Sequence, residues 1–214
     1  MLICKYTRVS RAVFVPHLDI LRAVSMGLRR AGIKVDYSEG FNPHVKIFFG
    51  QPIPLGTASE SEYFCVYTSV SPEEFTEKLN RTLPDGVRIL KAAEVEKDPN
   101  VAKIMRFADY TVTMRDIQPR LNELNAFFGG EKCVIEYEAK GERQSKDVRA
   151  LIRGARIEND RAIFLRLGCG NANLRADRLM GYLREEYGLC GYDILKTATY
   201  DDVGKNLDEI FFGE

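Results

Sequence analysis

The sequence predicts an α+β protein made of two tandem ferredoxin-like (βαββαβ) units with antiparallel sheets. Three observations carry that prediction. Segments with strand or helix periodicity follow the order strand, helix, strand, strand, helix, strand, and that order occurs twice. The turn-forming Asp98-Pro99-Asn100 stands between the two runs, dividing the chain into units 1–98 and 99–214. With 214 residues and 45% hydrophobic content, the chain has enough material to bury two small cores.

In the first unit, residues 2–8 (LICKYTR) read as a strand. A helix is expected from His17 to Arg30, because Leu18, Leu21, Val24 and Leu28 recur at helical spacing and Gly32 follows as a terminator. Residues 33–37 and 44–49 read as strands around a Ser38 to Pro43 loop, and residues 62–68 as a third. Ser71-Pro72-Glu73-Glu74 has the chemistry of a helix start, and that helix is expected to end near Leu83. Residues 87–94 close the unit as a strand. In the second unit, strands are expected at 107–114, 132–139, 161–167 and 193–199, with helices at 116–128 and 174–187.

Composition narrows the function classes. The 31 basic and 31 acidic side chains cancel, so no global charge draws the chain to nucleic acid, although residues 1–50 hold 8 basic and 3 acidic groups. No leader has the apolar core of a signal peptide, and no apolar run approaches membrane-spanning length. Cys4, Cys65, Cys133, Cys169 and Cys190 are widely spaced, which fits buried thiols in a reducing cytoplasm and excludes a locally held iron–sulfur cluster. The expected setting is therefore cytoplasmic, without a membrane.

The residues with most chemistry crowd into 15–62. Arg22 and Arg29 share a helix face, Arg30 is one step round, and Asp19 is within reach of Arg22. Guanidinium groups at this spacing suit phosphates, although a solvated charged helix face has the same pattern. Ser38, Glu39, Gly40, Phe41, Asn42 and Pro43 combine backbone freedom, rigidity and a side-chain amide. Phe41 either plugs the core, the commoner fate, or stands exposed as a stacking platform. Pro54 and Gly56 frame a second rigid turn. His17 and His44, with Tyr6, Tyr37 and Tyr63, could in principle support acid–base cleavage of RNA. Metal binding by His17, His44 and Asp19 or Glu39 lacks a constraining spacing, so no metal or cofactor is expected. Residues 140–156, with Arg143, Lys146, Arg149, Arg153 and Arg156, form the best candidate for a second basic surface.

The motifs His17-Leu18-Asp19, Arg29-Arg30-Ala31, Ser38 to Pro43 and Pro54-Leu55-Gly56 together resemble the radical SAM-linked protein family. This is a domain of unknown function found alone or attached to radical S-adenosylmethionine proteins. The resemblance is strongest over residues 1–70, and Pro16 stands where the family pattern has a serine. It implies a radical S-adenosylmethionine protein as partner and, through the company its members keep, RNA. The expected function is an RNA-binding accessory module for such an enzyme in tRNA or rRNA modification or processing. Arg22, Arg29, Arg30 and Lys46 would hold phosphates, and Phe41 and Asn42 would touch a base. Two alternatives stay open: a metal-independent RNA endonuclease using His17 or His44, and a protein–protein adaptor for the radical enzyme.

Overall fold

Every residue of LICKYTR is buried, because this strand is flanked on both edges and covered on both faces. Around it the computed structural model, which describes residues 1–115, 117–139 and 141–213, builds one large mixed sheet and a separate hairpin. The first half runs β1 (Leu2–Arg8), a 3-10 turn (Ser10–Phe14), α1 (His17–Arg30), β2 (Ile47–Phe49), β3 (Thr57–Val66), α2 (Pro72–Asn80) and β4 (Ile89–Glu94). After α3 (Val101–Ile104) come β5 (Phe107–Thr113), α4 (Leu121–Gly129), β6 (Val134–Ala139) and β7 (Glu142–Asp147). The chain then forms β8 (Ile152–Asn159), β9 (Ala162–Gly168), α5 (Ala176–Tyr187), β10 (Asp193–Tyr200) and α6 (Leu207–Phe212).

The architecture is α+β with a mostly antiparallel sheet, ordered β4-β1-β3-β10-β5-β9-β8, and β2 also pairs with β3. The two halves share that sheet. They join where the start of β3 runs parallel to β10, through the pairs Ile194–Thr57, Leu195–Ala58 and Lys196–Ser59. Beyond this seam β3 turns its edge to β2, pairing Phe64–Phe49 and Val66–Ile47.

Three cores result. Leu2, Cys4, Tyr6, Phe64 and Val66 pack under α1 and α2. On the same side of the sheet, Ala108, Val112, Ile163, Leu165 and Leu167 pack under α4 and α5. On the opposite side Ile3, Tyr63 and Cys65 are covered by Val101, Met105 and Leu207, from the α3 region and α6. Ser71 caps α2 by accepting from the Glu74 amide at 3.3 Å, as its sequence chemistry requires.

Several expected elements differ. Residues 33–37 form no ladder; Val35 and Tyr37 make single bridges to Thr68 and Val45. The helix expected at 116–128 begins as a 3-10 turn at Gln118–Arg120 and becomes α4, while Asp116 lies outside the described residues. Residues 132–139 were expected as a strand of the second unit's sheet. Instead, among the described residues, β6 pairs with β7 in a separate hairpin, and β8 takes the place beside β9. The reason is compositional. β7 (ERQSKD) is exposed throughout and β8 has one wet face, so neither shows an apolar period.

Candidate functional site

Arg8 organises the site. It ends β1 almost wholly buried, with no carboxylate partner among the described residues. Its guanidinium instead donates to four carbonyls: Ala12 at 3.1 Å, Ile53 at 3.0 Å, Val13 at 3.0 Å and Val15 at 2.8 Å. Burial lowers its pKa, opposed by Glu62 and Tyr6. One side chain thus ties the 3-10 turn before α1 to the QPIPLG loop, and the Gly56 amide adds a 2.9 Å bond to Val13 O. Gly56 has φ +80°, a left-handed conformation that explains the glycine after Pro54-Leu55. Sequence reasoning missed Arg8. Its available signal was an arginine closing a strand-like segment that begins apolar.

This clamp sets the start of α1. Pro16 occupies the N-cap without a side-chain cap bond, and His17 follows as the first helical residue. The half-buried His17 ring stands edge-on to Phe49, 5.7 Å between centroids. Burial pushes its pKa below the usual histidine range; Glu62 opposes this and Arg8 adds to it. Phe14, Leu18 and Leu55 are exposed around the same junction.

The second part is the loop after α1. The Ser38 amide donates to His44 O at 2.8 Å, and the His44 amide donates to Ser38 Oγ at 3.0 Å. With the Tyr37–Val45 bridge and Lys46 N bonded to Asp36 O at 2.8 Å, residues 39–43 are closed at their base. Gly40 takes φ +113°, which an L side chain resists. Phe41 is fully exposed, so of the two placements open to it in the sequence the core is excluded. Glu39, Asn42, Pro43 and His44 are exposed around it.

On α1, Arg22 pairs with Asp19 at 2.8 Å in the open, and Arg30 donates to Thr82 O at 2.9 Å, two residues past the end of α2. The Arg29 side chain is exposed and makes no hydrogen bond or ion pair to a described residue; the same holds for the side chain of the half-buried Lys46. Residues 31–37 link the last turn of α1 to the loop, so Arg29, Arg30, Lys34 and Phe41 lie along one short stretch of chain.

The histidines do not form an acid–base pair. His17 packs on Phe49 at the far end of β2, His44 sits before its near end, and neither ring hydrogen-bonds to a described residue. Among the described residues no three His, Cys, Asp or Glu side chains gather as a metal site. Four cysteines are buried and Cys190 is exposed; Cys65 and Cys169 share one core, where burial pushes their thiols up to about 12 and about 11. No helix is long and apolar enough to cross a membrane among the described residues.

Compared with known proteins, the chain matches over residues 2–176 the model of a family described as uncharacterized protein conserved in bacteria (DUF2344). No curated protein matches it.

Proposed function

The chain belongs to that uncharacterized bacterial family, DUF2344, and we propose that it is an RNA-binding accessory module rather than an enzyme. Phe41 carries the proposal. A large apolar side chain in full contact with water gains nothing for folding, yet its loop is held shut by the Ser38–His44 bonds. Preordering an aromatic outside the fold suits a contact made with something else, and an unpaired base stacks readily on such a ring. Arg29, Arg30 and Lys34 supply cations on the adjoining chain for the flanking phosphates.

The resemblance read from the motifs extends the proposal. The module would present tRNA or rRNA to a radical S-adenosylmethionine enzyme in modification or processing. Four of its five cysteines are buried and none lies close in sequence to another, which fits a division of labour in which that partner holds the cluster. Exposed Phe14, Leu18 and Leu55 beside the Arg8 clamp favour a protein contact on a second patch, which is where the partner would sit. The sheet order β4-β1-β3-β2 and its counterpart β10-β5-β9-β8 support two ferredoxin-like units, 1–98 and 99–214, fused edge to edge.

Filter binding of the purified chain to total cellular RNA, at low and physiological salt, tests the proposal. Affinity should fall with salt and drop at least tenfold in Phe41→Ala/Arg29→Ala/Arg30→Ala. Equal retention by the wild type and this variant would refute the assigned surface. Binding that ignores salt would refute the phosphate contacts.

A further inference from the structure

The three cores use α1 to α6 without covering the whole sheet. On the side facing away from α4 and α5, the face of β5, β9 and β8 has no described helix packed on it. Burial follows this asymmetry residue by residue. Ala108, Val112, Ile163, Leu165 and Leu167 are sealed, whereas their neighbours Phe107, Thr111, Thr113, Phe164 and Arg166 reach solvent.

This open face is composed of arginines lying on aromatic rings. The Arg153 guanidinium carbon is 5.0 Å from the Phe107 centroid, Arg156 is 4.1 Å from Phe164, and Arg166 is 4.3 Å from Tyr200. Register places them in rows across the sheet. Arg156 is paired with Phe164, which faces Thr111; Arg166 faces Asp109 between Gly154 and Ala198; Phe107 is paired with Tyr200. Gly154 stands opposite Arg166 in the middle row, where an added Cβ would make only ordinary contacts with Arg166 and Phe164.

The planes are held in place. Arg166 donates to both oxygens of the buried Asp109, at 2.6 and 2.8 Å, and the Tyr200 hydroxyl donates to Asp109 at 2.8 Å. Arg156 is steadied by Glu158 at 2.9 Å. Arg153 is exposed and has no carboxylate partner among the described residues. Exposed ion pairs and exposed cation–π contacts each contribute only about 1 kcal/mol or less, so folding has little need of ordered Arg153 and Arg156, whereas Arg166 also neutralises the buried Asp109.

We propose that this uncovered face is a second nucleic-acid contact, where Arg153, Arg156 and Arg166, stacked on Phe107, Phe164 and Tyr200, receive the bases and phosphates of a single-stranded RNA. The proposal rests on the RNA-binding function argued above but uses a different surface. A guanidinium over a ring leaves its far side to a base and its free donors to phosphate oxygens. The Arg153 and Arg156 pairs thus serve both parts of a nucleotide, while Arg166, its edge engaged by Asp109, serves a base. Two residues along a strand span about 6.8 Å, a spacing that suits successive splayed bases better than a stacked duplex. An acidic protein segment would use the charges but leave the aromatic layer without a role.

The test uses the full chain and a fluorescently labelled single-stranded RNA of mixed sequence, read by anisotropy across a salt series. Arg153→Glu/Arg156→Glu should weaken binding at least tenfold and reduce the salt slope by about 1.4, two single-strand phosphate contacts at about 0.7 each. Its circular dichroism and unfolding midpoint should match the wild type, because both arginines are exposed. Phe164→Leu, which keeps the apolar contact and removes the ring, should weaken binding without changing the salt slope. If both sheet variants bind like the wild type while Phe41→Ala/Arg29→Ala/Arg30→Ala loses binding, the sheet contact is overturned and the loop surface stands. If the wild type binds no RNA, both are overturned. If polyglutamate displaces RNA of equal charge at equal concentration, the face recognises acidic chains and the proposal fails.

Discussion

Lys196→Met should be among the most damaging single substitutions in this chain. Lys196 on β10 and Glu62 on β3 meet at the seam between the halves, Nζ to Oε1 3.0 Å, with side chains only 2% and 4% exposed. Glu62 also accepts from Ser59 Oγ at 2.7 Å, and across the same seam Ser61 Oγ lies 2.9 Å from Thr199 Oγ1. Methionine nearly preserves the volume but leaves the Glu62 carboxylate buried with one neutral donor. Stranding one member of a buried ion pair costs about 3–5 kcal/mol. At about 2–4 °C per kcal/mol for a chain of this size, the melting temperature should fall by about 6–20 °C. Thermal and urea unfolding followed by circular dichroism measures it. Glu62→Gln/Lys196→Met keeps an acceptor for Ser59 and removes both charges, so it should recover about 2 kcal/mol of the summed single losses. A Lys196→Met cost under about 1 kcal/mol, or strict additivity in the cycle, would refute a mutually dependent buried pair at the seam.

Other expectations follow from the same geometry. Arg8→Met removes a donor from four carbonyls, of which Ala12 O and Val13 O keep a backbone amide, and should cost about 3 kcal/mol, with faster proteolysis of residues 10–16, read by urea unfolding and limited digestion. His17 has a folded pKa below its unfolded value, because burial disfavours its charged form, so its contribution is complete above about pH 6.5 and is lost as pH falls below that. The urea midpoint should therefore drop more between pH 7.5 and 5.5 in the wild type than in His17→Gln; equal drops would contradict this. Asp208 is raised by burial but lowered more by Lys5 at 2.5 Å, Tyr63 at 2.8 Å and Lys91, for a net pKa below the usual range. Its contribution is present above about pH 4 and lost as pH falls through its depressed value, so Asp208→Asn should flatten the acid limb of unfolding. Phe41→Ala should leave the unfolding midpoint within about 0.5 kcal/mol of wild type.

Much of the fold was legible because burial on one face leaves a period. Helix α1 falls on His17–Arg30, as Leu21, Val24 and Leu28 require, and Ser71-Pro72 marks α2 by its own chemistry. Long-range pairing left no such trace. The seam depends on three residue pairs between positions 57–59 and 194–196, and no local pattern announces a partner so far along the chain. The β6–β7 hairpin was hidden because its exposed strand reads as a charged loop, and the assignment of β8 shifted with it. For the candidate site, composition singled out Arg29, Arg30 and the loop residues, but whether Phe41 faces core or water is a matter of tertiary placement. Arg8 was overlooked because its partners are backbone carbonyls, which leave no mark in a sequence. The basic run at 140–156 resolves differently from how it reads: Arg143 pairs with Glu136 and Arg149 donates to Phe128 O, while Arg153 and Arg156 reach the open sheet face. Lys140 lies outside the described residues.

Ultraviolet cross-linking of the full chain to cellular RNA, followed by mass spectrometry of the nucleotide-bearing peptides, tests the central proposal most directly. An RNA-binding loop predicts adducts on the tryptic peptide 35–46, centred on Phe41, that disappear in Phe41→Ala. RNA recovered at background level, or cross-links confined to other peptides and unchanged in that variant, would contradict it.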